Sequence, residues 1–92
     1  MTTSHKMQAK QILGEMNTLY WKFLDLRDRL EEITVAEEDA LDAFPSSKRF
    51  GDDYWDAEEY VCRLHEAEEA VDEAERKLKK AIDYIEQIPE DV

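Results

Sequence analysis

The sequence predicts an all-α fold, in which two long helices form an antiparallel coiled-coil hairpin that dimerises to a four-helix bundle. Glycine and proline number only two each in 92 residues, so the chain has few turns and few connections. Two stretches repeat apolar residues at alternating steps of three and four, which is the heptad spacing of coiled coils. The loop between these stretches is too short for anything but an antiparallel arrangement.

The clearer heptad stretch occupies the second half of the chain. All its seam positions are apolar, and most residues between them are charged; the seam is Ala57, Tyr60, Leu64, Ala67, Val71, Ala74, Leu78, Ala81, Ile85 and Ile88. Alanine recurs every seven residues between larger neighbours. This rhythm predicts a closely packed partner helix with large side chains opposite the alanines.

The first half carries a similar seam, which begins after Ser4, a suitable N-cap residue. Only a glutamate interrupts it, in the series Ala9, Ile12, Met16, Leu19, Phe23, Leu26, Leu30, Ile33, Glu37, Ala40 and Phe44. A break near Thr34 is the alternative, because a β-branched run and a possible capping box lie there. The unbroken heptad phase favours one continuous helix.

The boundaries follow from proline and from capping residues. We expect a single domain, 1–92, with helix 1 at about 5–43, a loop at 44–51 and helix 2 at about 52–88. Pro45 and Pro89 end the two helices, and Asp52 or Asp53 is expected to cap the second. The register that best sets large residues against alanines pairs Leu30 with Ala67, Phe23 with Ala74 and Met16 with Ala81.

Apolar residues outside the seams cluster near the open end of the predicted hairpin, where the termini meet. They are Leu13, Tyr20, Trp21, Leu24, Ile82 and Tyr84. A flank that apolar is expected to need another surface, and homodimerisation is our first interpretation. A docking face for a different protein and ordinary partial exposure remain as alternatives.

Composition excludes several classes of partner. The net charge of −12 and the pI near 4.4 argue against direct binding to nucleic acid or to an anionic membrane. The single cysteine, Cys62, fits a reducing compartment. No apolar run approaches the roughly 20 residues of a membrane span, and the polar start does not resemble a signal peptide. We therefore expect a cytoplasmic protein.

The negative charge is concentrated around the loop. Residues 31–69 carry fourteen acids against three bases, whereas 1–30 has a balance of +2 and 70–92 a balance of −3. The interpretation is an acidic surface that binds a basic partner, with two aromatic anchors; its predicted residues are Glu38, Asp39, Asp42, Asp52, Asp53, Tyr54, Trp55, Asp56, Glu58, Glu59, Glu66 and Glu69. The alternative is a solvated face that only keeps the protein in solution.

Metal binding and catalysis are not predicted. Cys62 and His65 are spaced like a ligand pair, but the other histidine, His5, is far away in sequence and both lie off the seam. No phosphate-binding glycine loop or nucleophile elbow is present. A narrow hairpin also lacks the desolvated pocket that a general acid needs. We expect no metal, no cofactor and no enzymatic activity.

In general type, as a very small acidic helical protein, the chain resembles some phage-encoded inhibitors that imitate nucleic acid. The resemblance is one of size, charge and style and rests on no motif. Our functional hypothesis is a non-enzymatic interaction module that binds a basic surface of a partner protein, such as a nucleic-acid-binding protein, as an inhibitor of the phage or mobile-element type. The alternative is a structural or adaptor coiled coil that acts through homodimerisation and its open-end aromatic patch.

Overall fold

A computed structural model, which describes residues 2–89, consists of two antiparallel α-helices joined by a short loop. Helix α1 spans Thr3–Asp42 and helix α2 spans Asp52–Glu86, with a single turn of 3-10 helix at Ser46–Lys48 between them. The hairpin extends over 69 × 15 × 14 Å. The predicted all-α hairpin is confirmed, and no strand is present in the described part of the chain.

Helix α1 is continuous, as predicted. Its N-cap is Thr2, whose side chain accepts the His5 N–H at 3.2 Å, so the expected cap Ser4 lies inside the helix. Thr34 forms no capping box. Its hydroxyl donates to the Leu30 carbonyl at 2.9 Å, and the residue is buried against α2 in the middle of the hairpin.

The loop is held by one arginine and one aromatic pair. Arg49 donates from Nε to the Phe44 carbonyl and from Nη2 to the Asp42 carbonyl, both at 3.2 Å. These bonds satisfy carbonyls that the end of α1 leaves without helical partners. Phe44 also packs edge-to-face on Tyr54 of α2, with ring centroids 5.4 Å apart. The two helix ends are thereby joined by side chains as well as by the chain.

The start of α2 differs from the prediction. Its N-cap is Gly51, which makes no side-chain capping bond, and both Asp52 and Asp53 fall in the first turn. The expectation that one of these aspartates is the cap was therefore wrong. Their carboxylates still lie at the positive end of the helix dipole, where negative charge is favourable.

The contact between the helices is rotated relative to both predicted seams. In α1, the least exposed column pairs comprise Leu13, Met16, Tyr20, Phe23, Arg27, Leu30, Thr34, Glu37, Leu41 and Phe44. In α2, they comprise Ala57, Val61, Leu64, Glu68, Val71, Glu75, Leu78, Ile82 and Ile85. Each predicted seam consists of two columns, meaning two sets of residues spaced seven apart. One column of each seam lies in the observed contact. The other does not, and the residues that follow its members by one position take its place in the contact. At 100° per residue, the contact stripe lies about 50° from the predicted one in each helix.

The replaced column of α1 stays at the surface, where Ile12, Leu19, Leu26 and Ile33 have nearly uniform exposures of 44–49%. In the replaced column of α2, Tyr60 and Ile88 are exposed, whereas Ala67, Ala74 and Ala81 are half-buried. The physical reason is that each helix carries three apolar or mixed columns, while a single partner helix covers only two. The side-chain contacts across the hairpin lie close to the predicted register: Phe44 contacts Tyr54, Arg27 contacts Asp72 and Tyr20 contacts Lys79, one or two residues from the predicted pairing. The pairing of the α2 alanines with large α1 residues stays a prediction.

Ile82→Ala should destabilise the fold strongly, because Ile82 is 1% exposed and is the one apolar side chain that is fully buried within residues 2–89. We expect a loss of about 2–5 kcal/mol in the free energy of unfolding, measured by urea denaturation at fixed protein concentration. The control is Tyr84→Ala on the exposed side of the same turn, for which a change within about 0.5 kcal/mol is expected. Equal losses in the two variants would contradict this account of the core.

Candidate interaction surfaces

One face of the hairpin, here called the polar face, carries the ion pairs that join the helices. Arg27 Nη1 lies 3.4 Å from Asp72 Oδ1 and 3.4 Å from Glu75 Oε2. Asp72 is also paired with Arg76 at 2.7 Å. Glu75 is only 9% exposed, and Arg27 supplies its ionic partner. No buried side-chain nitrogen or oxygen in the described residues lacks a hydrogen-bond partner.

Nearer the loop, His65 joins the helices on the same face. Its Nε2 contacts Glu38 of α1, and its Nδ1 lies 3.5 Å from Glu68. Cys62 is a free, exposed cysteine. Residues 2–89 contain no group of three or more potential metal-ligating side chains close together.

At the open end, Lys79 lies between an acid and an aromatic ring. Its Nζ is 3.3 Å from Asp83 Oδ1 and 5.9 Å from the centroid of Tyr20. The hydrogen bond and charge of Asp83 raise the pKa of Lys79 above its ordinary value. Tyr20 in turn packs edge-to-face on Trp21, with centroids 5.8 Å apart. Lys79 is therefore a charged bridge across the polar face.

The residues predicted as a dimer or docking face are divided by the structure. Ile82 is buried within the hairpin and is not available to a partner. Three others are half-buried beside α2: Leu13, Tyr20 and Leu24. Trp21 and Tyr84 are exposed, but they lie on different helices and no ring contact joins them. These six residues do not form one exposed patch.

Residues 31–69, which we call the loop end, hold most of the carboxylates that have no ionic partner. Four of the fourteen acids there contact a basic side chain: Glu59 and Glu66 are ion-paired with Arg63, and Glu38 and Glu68 contact the His65 ring. The other ten carboxylates have neither an ion pair nor a hydrogen bond within the described chain: Glu31, Glu32, Glu37, Asp39, Asp42, Asp52, Asp53, Asp56, Glu58 and Glu69. The three bases of this end do not compensate these ten carboxylates. Arg63 is paired with Glu59 and Glu66, Arg49 binds backbone carbonyls, and Lys48 adds a single positive charge.

The rest of the hairpin, called the open end, is balanced by contrast. Five of its eight described acids are ion-paired; they are Asp25, Asp72, Glu73, Glu75 and Asp83. Uncompensated charge is therefore a property of the loop end. The charge difference between the two ends that the sequence shows is therefore accompanied by a difference in pairing, since more of the open-end acids have ionic partners.

The two predicted aromatic anchors have different environments. Tyr54 is half-buried against Phe44 and helps to hold the loop. Trp55 is 56% exposed, with its ring centroid 6.4 Å from that of Tyr54. Trp55 is thus an aromatic side chain of α2 that a partner can reach at the loop end, as is Tyr60, which is 50% exposed. Tyr54 packs beside Trp55.

Sequence reasoning missed a second surface, the exposed columns that it had assigned to the seams. The sequence did contain a signal for this surface. A contact between two helices needs one apolar stripe on each helix, but α1 has the apolar flank of Leu13, Tyr20 and Leu24 in addition to its predicted seam. Three columns exceed what one partner helix covers. Which column is left out depends on the rotation of each helix about its axis.

Comparison with known proteins adds no assignment, since no protein family, curated protein or solved structure matches this chain. Neither helix, within residues 2–89, has a stretch that is both long enough and apolar enough to cross a bilayer.

Arg27→Met should destabilise the hairpin by leaving the nearly buried Glu75 carboxylate without its ionic partner. We expect a loss of about 1–2 kcal/mol in the free energy of unfolding, because Arg27 is itself partly exposed. Adding Glu75→Gln should recover part of that loss, which urea denaturation of the single and double variants would measure. The control is Arg29→Met, whose exposed partner Asp25 predicts a change within about 0.5 kcal/mol. Additive effects of the two substitutions would contradict a direct coupling.

Proposed function

We propose that this protein is a non-enzymatic protein–protein interaction module whose acidic loop end binds a basic surface of a partner protein. The observation that carries the proposal is the set of ten carboxylates at the loop end without ionic or hydrogen-bonding partners. Like charges crowded within a Debye length of about 8 Å repel one another and oppose folding. A partner that supplies lysine and arginine side chains relieves this repulsion when it binds.

The charge density of the loop end supports a partner that normally binds nucleic acid. Its net charge of −11 is spread along about 26 Å, the length of the helix segment at 52–69. That is about one negative charge per 2.4 Å, close to the one per 1.7 Å of duplex DNA. A basic groove shaped for phosphates would therefore meet a similar potential on this rod. We infer that the protein competes with nucleic acid for such a groove.

Trp55 gives this surface an apolar contact in addition to its charge. Tryptophan is enriched among the residues that dominate binding energy, and this one is exposed among carboxylates. Charge would steer the encounter and raise its rate, while burial of the indole would slow dissociation. The two contributions are separable, because only the first depends on salt.

Neutralising acids at the loop end should abolish partner binding, while the same change elsewhere should not. The test variant is Asp39→Asn/Asp56→Asn/Glu69→Gln, which removes three unpaired carboxylates outside the first helical turns. The matched control is Glu15→Gln/Asp28→Asn/Glu86→Gln, which removes three open-end carboxylates outside the ion pairs and changes the net charge equally. The charge of Glu86 contributes to the raised pKa of Lys79, so this control also includes one weak interaction with a base. Each protein would be immobilised and used to capture proteins from its native cell lysate at rising salt.

We expect the wild type and the control to retain basic, nucleic-acid-binding proteins that elute with salt and with added DNA. The test variant should lose them, and Trp55→Ala should weaken retention without changing its salt dependence. Capture that persists at high salt, or that survives neutralisation of the loop end, would contradict the proposal. Circular dichroism of each variant separates lost binding from lost helix.

A structural or adaptor coiled coil is the second candidate, and the exposed apolar side chains favour it. Twelve large hydrophobic residues are at least 40% exposed in the hairpin, among them Leu19 and Leu26 along α1. Partner capture that survives loop-end neutralisation but is lost in Leu26→Glu would favour this candidate over the acidic module.

A further inference from the structure

The apolar columns left out of the hairpin contact lie together on one side, which we call the apolar face. Its residues are Ile12, Leu19, Leu26, Ile33 and Ala40 of α1 with Tyr60, Ala67, Ala74, Ala81 and Ile88 of α2. Each column is displaced from its contact stripe in the same rotational sense. Because the helices are antiparallel, equal rotations carry both columns to the same side of the hairpin. A continuous apolar strip therefore runs along most of the molecule.

The position of the ion pairs agrees with this placement. Glu38, His65 and Asp72 each follow a contact-stripe residue by one position, which sets them on the side opposite the apolar face. These are the residues that make the cross-helix ion pairs. One side of the hairpin is thus closed by charged pairs, and the other presents aliphatic side chains and alanine.

The direction of the predicted seams matches a four-helix bundle. In such a bundle each helix contacts two neighbours, so its apolar stripe points to the bundle centre, about 45° from either neighbour. The seams of both helices point about 50° away from the partner helix, toward the apolar face. The seam residues therefore point toward the position that the centre of a four-helix bundle would occupy, which lies outside the single hairpin.

Surface area supports a second hairpin on this face. The chain exposes 7127 Å², whereas a folded monomer of 10.9 kDa exposes about 5,600 Å². Only Val61 and Ile82 among the apolar residues at 2–89 are buried, which is a small core for a stable domain. At 1.5 Å per residue the apolar face is about 42 Å long from Ile12 to Ala40, and two helices about 10 Å in diameter make it at most about 20 Å wide, so it offers up to about 840 Å² per partner. A standard stable interface buries about 800 Å² on each side.

Charge decides how two hairpins would be oriented. With both loops at the same end, two regions of −11 each would be side by side. With the loops at opposite ends, each acidic loop end lies beside an open end whose two segments carry +2 and −3. In that arrangement α1 packs on α1 of the other copy and α2 on α2.

We propose that a second copy of this chain packs on the apolar face, forming a four-helix bundle with the two loops at opposite ends. The interface is distinct from the acidic surface and does not depend on it. The homodimer carries one acidic loop end at each end of a rod. Leu13 and Ile82, which the sequence predicted as part of the dimer face, lie in the contact between the two helices of each hairpin instead.

The first test is the mass of the full chain in solution by sedimentation equilibrium. The wild type should have twice the 10.9 kDa of one chain, and Leu26→Glu should shift it to a single chain. The control is Val35→Glu, on the same helix but off the apolar face, with an exposure of 49% against 44% for Leu26. This control should remain dimeric. The loop-end variant Asp39→Asn/Asp56→Asn/Glu69→Gln should also stay dimeric, which separates this proposal from the acidic-surface proposal.

Wild-type protein that stays at the mass of one chain at 100 µM would overturn the proposal, as would a Leu26→Glu variant as dimeric as the control. If Leu26→Glu loses helix, the comparison moves to milder changes. Leu26→Ala should then raise the dimer dissociation constant at least about tenfold over Val35→Ala, because each dimer contains two copies of the lost side chain. Equal constants for these two variants would overturn the assigned face.

The second test addresses orientation without altering the interface. Spin labels would be placed at the loop with Ser47→Cys in a Cys62→Ser background, since Cys62 is exposed. Loops at opposite ends of a hairpin 69 Å long should give label distances beyond about 50 Å. Loops at the same end would bring the labels to about 20 Å, given neighbouring helices 8–10 Å apart. A distance near 20 Å would overturn the opposite-end arrangement.

Discussion

The fold depends on a single long contact between two helices. Because a hairpin has no second layer, that contact must supply the whole core, and Val61 and Ile82 are the only apolar residues that it buries in the described chain. The burial of Glu75 in the same stripe requires Arg27 from the opposite helix. Such a contact is specific in rotation, since turning either helix would separate this pair. It is small in apolar area for a chain of this length.

The charge pattern follows from where the bases are placed. Lysines and arginines at the open end are used in ion pairs, such as Lys79 with Asp83, so the acids there are balanced. At the loop end, Arg49 is occupied by helix-terminal carbonyls and Arg63 by two glutamates. The remaining carboxylates repel one another across a short loop. The hairpin tolerates this repulsion because the Phe44–Tyr54 pair and Arg49 hold the loop.

The two proposed surfaces are compatible because they use different side chains. The acidic surface consists of carboxylates at the loop end, whereas the apolar face runs along most of one side and enters the loop end only with Ile33, Ala40, Tyr60 and Ala67. A bundle with opposed loops would leave both acidic ends accessible and would separate them by nearly the length of the rod. Binding to two basic sites at once would then gain from the link between the two ends.

Much of this architecture could be predicted from the sequence. The heptads predict two helices, the unbroken phase carries α1 through Thr34, and the acid count predicts the polarity of charge. Local geometry decided the caps, since Thr2 and Gly51 replace Ser4 and the predicted aspartates. Only the tertiary structure decided which columns face the other helix. Periodicity defines the stripe on a helix, but its rotation depends on contacts across the hairpin, such as that of Arg27 with Glu75, which no single helix encodes.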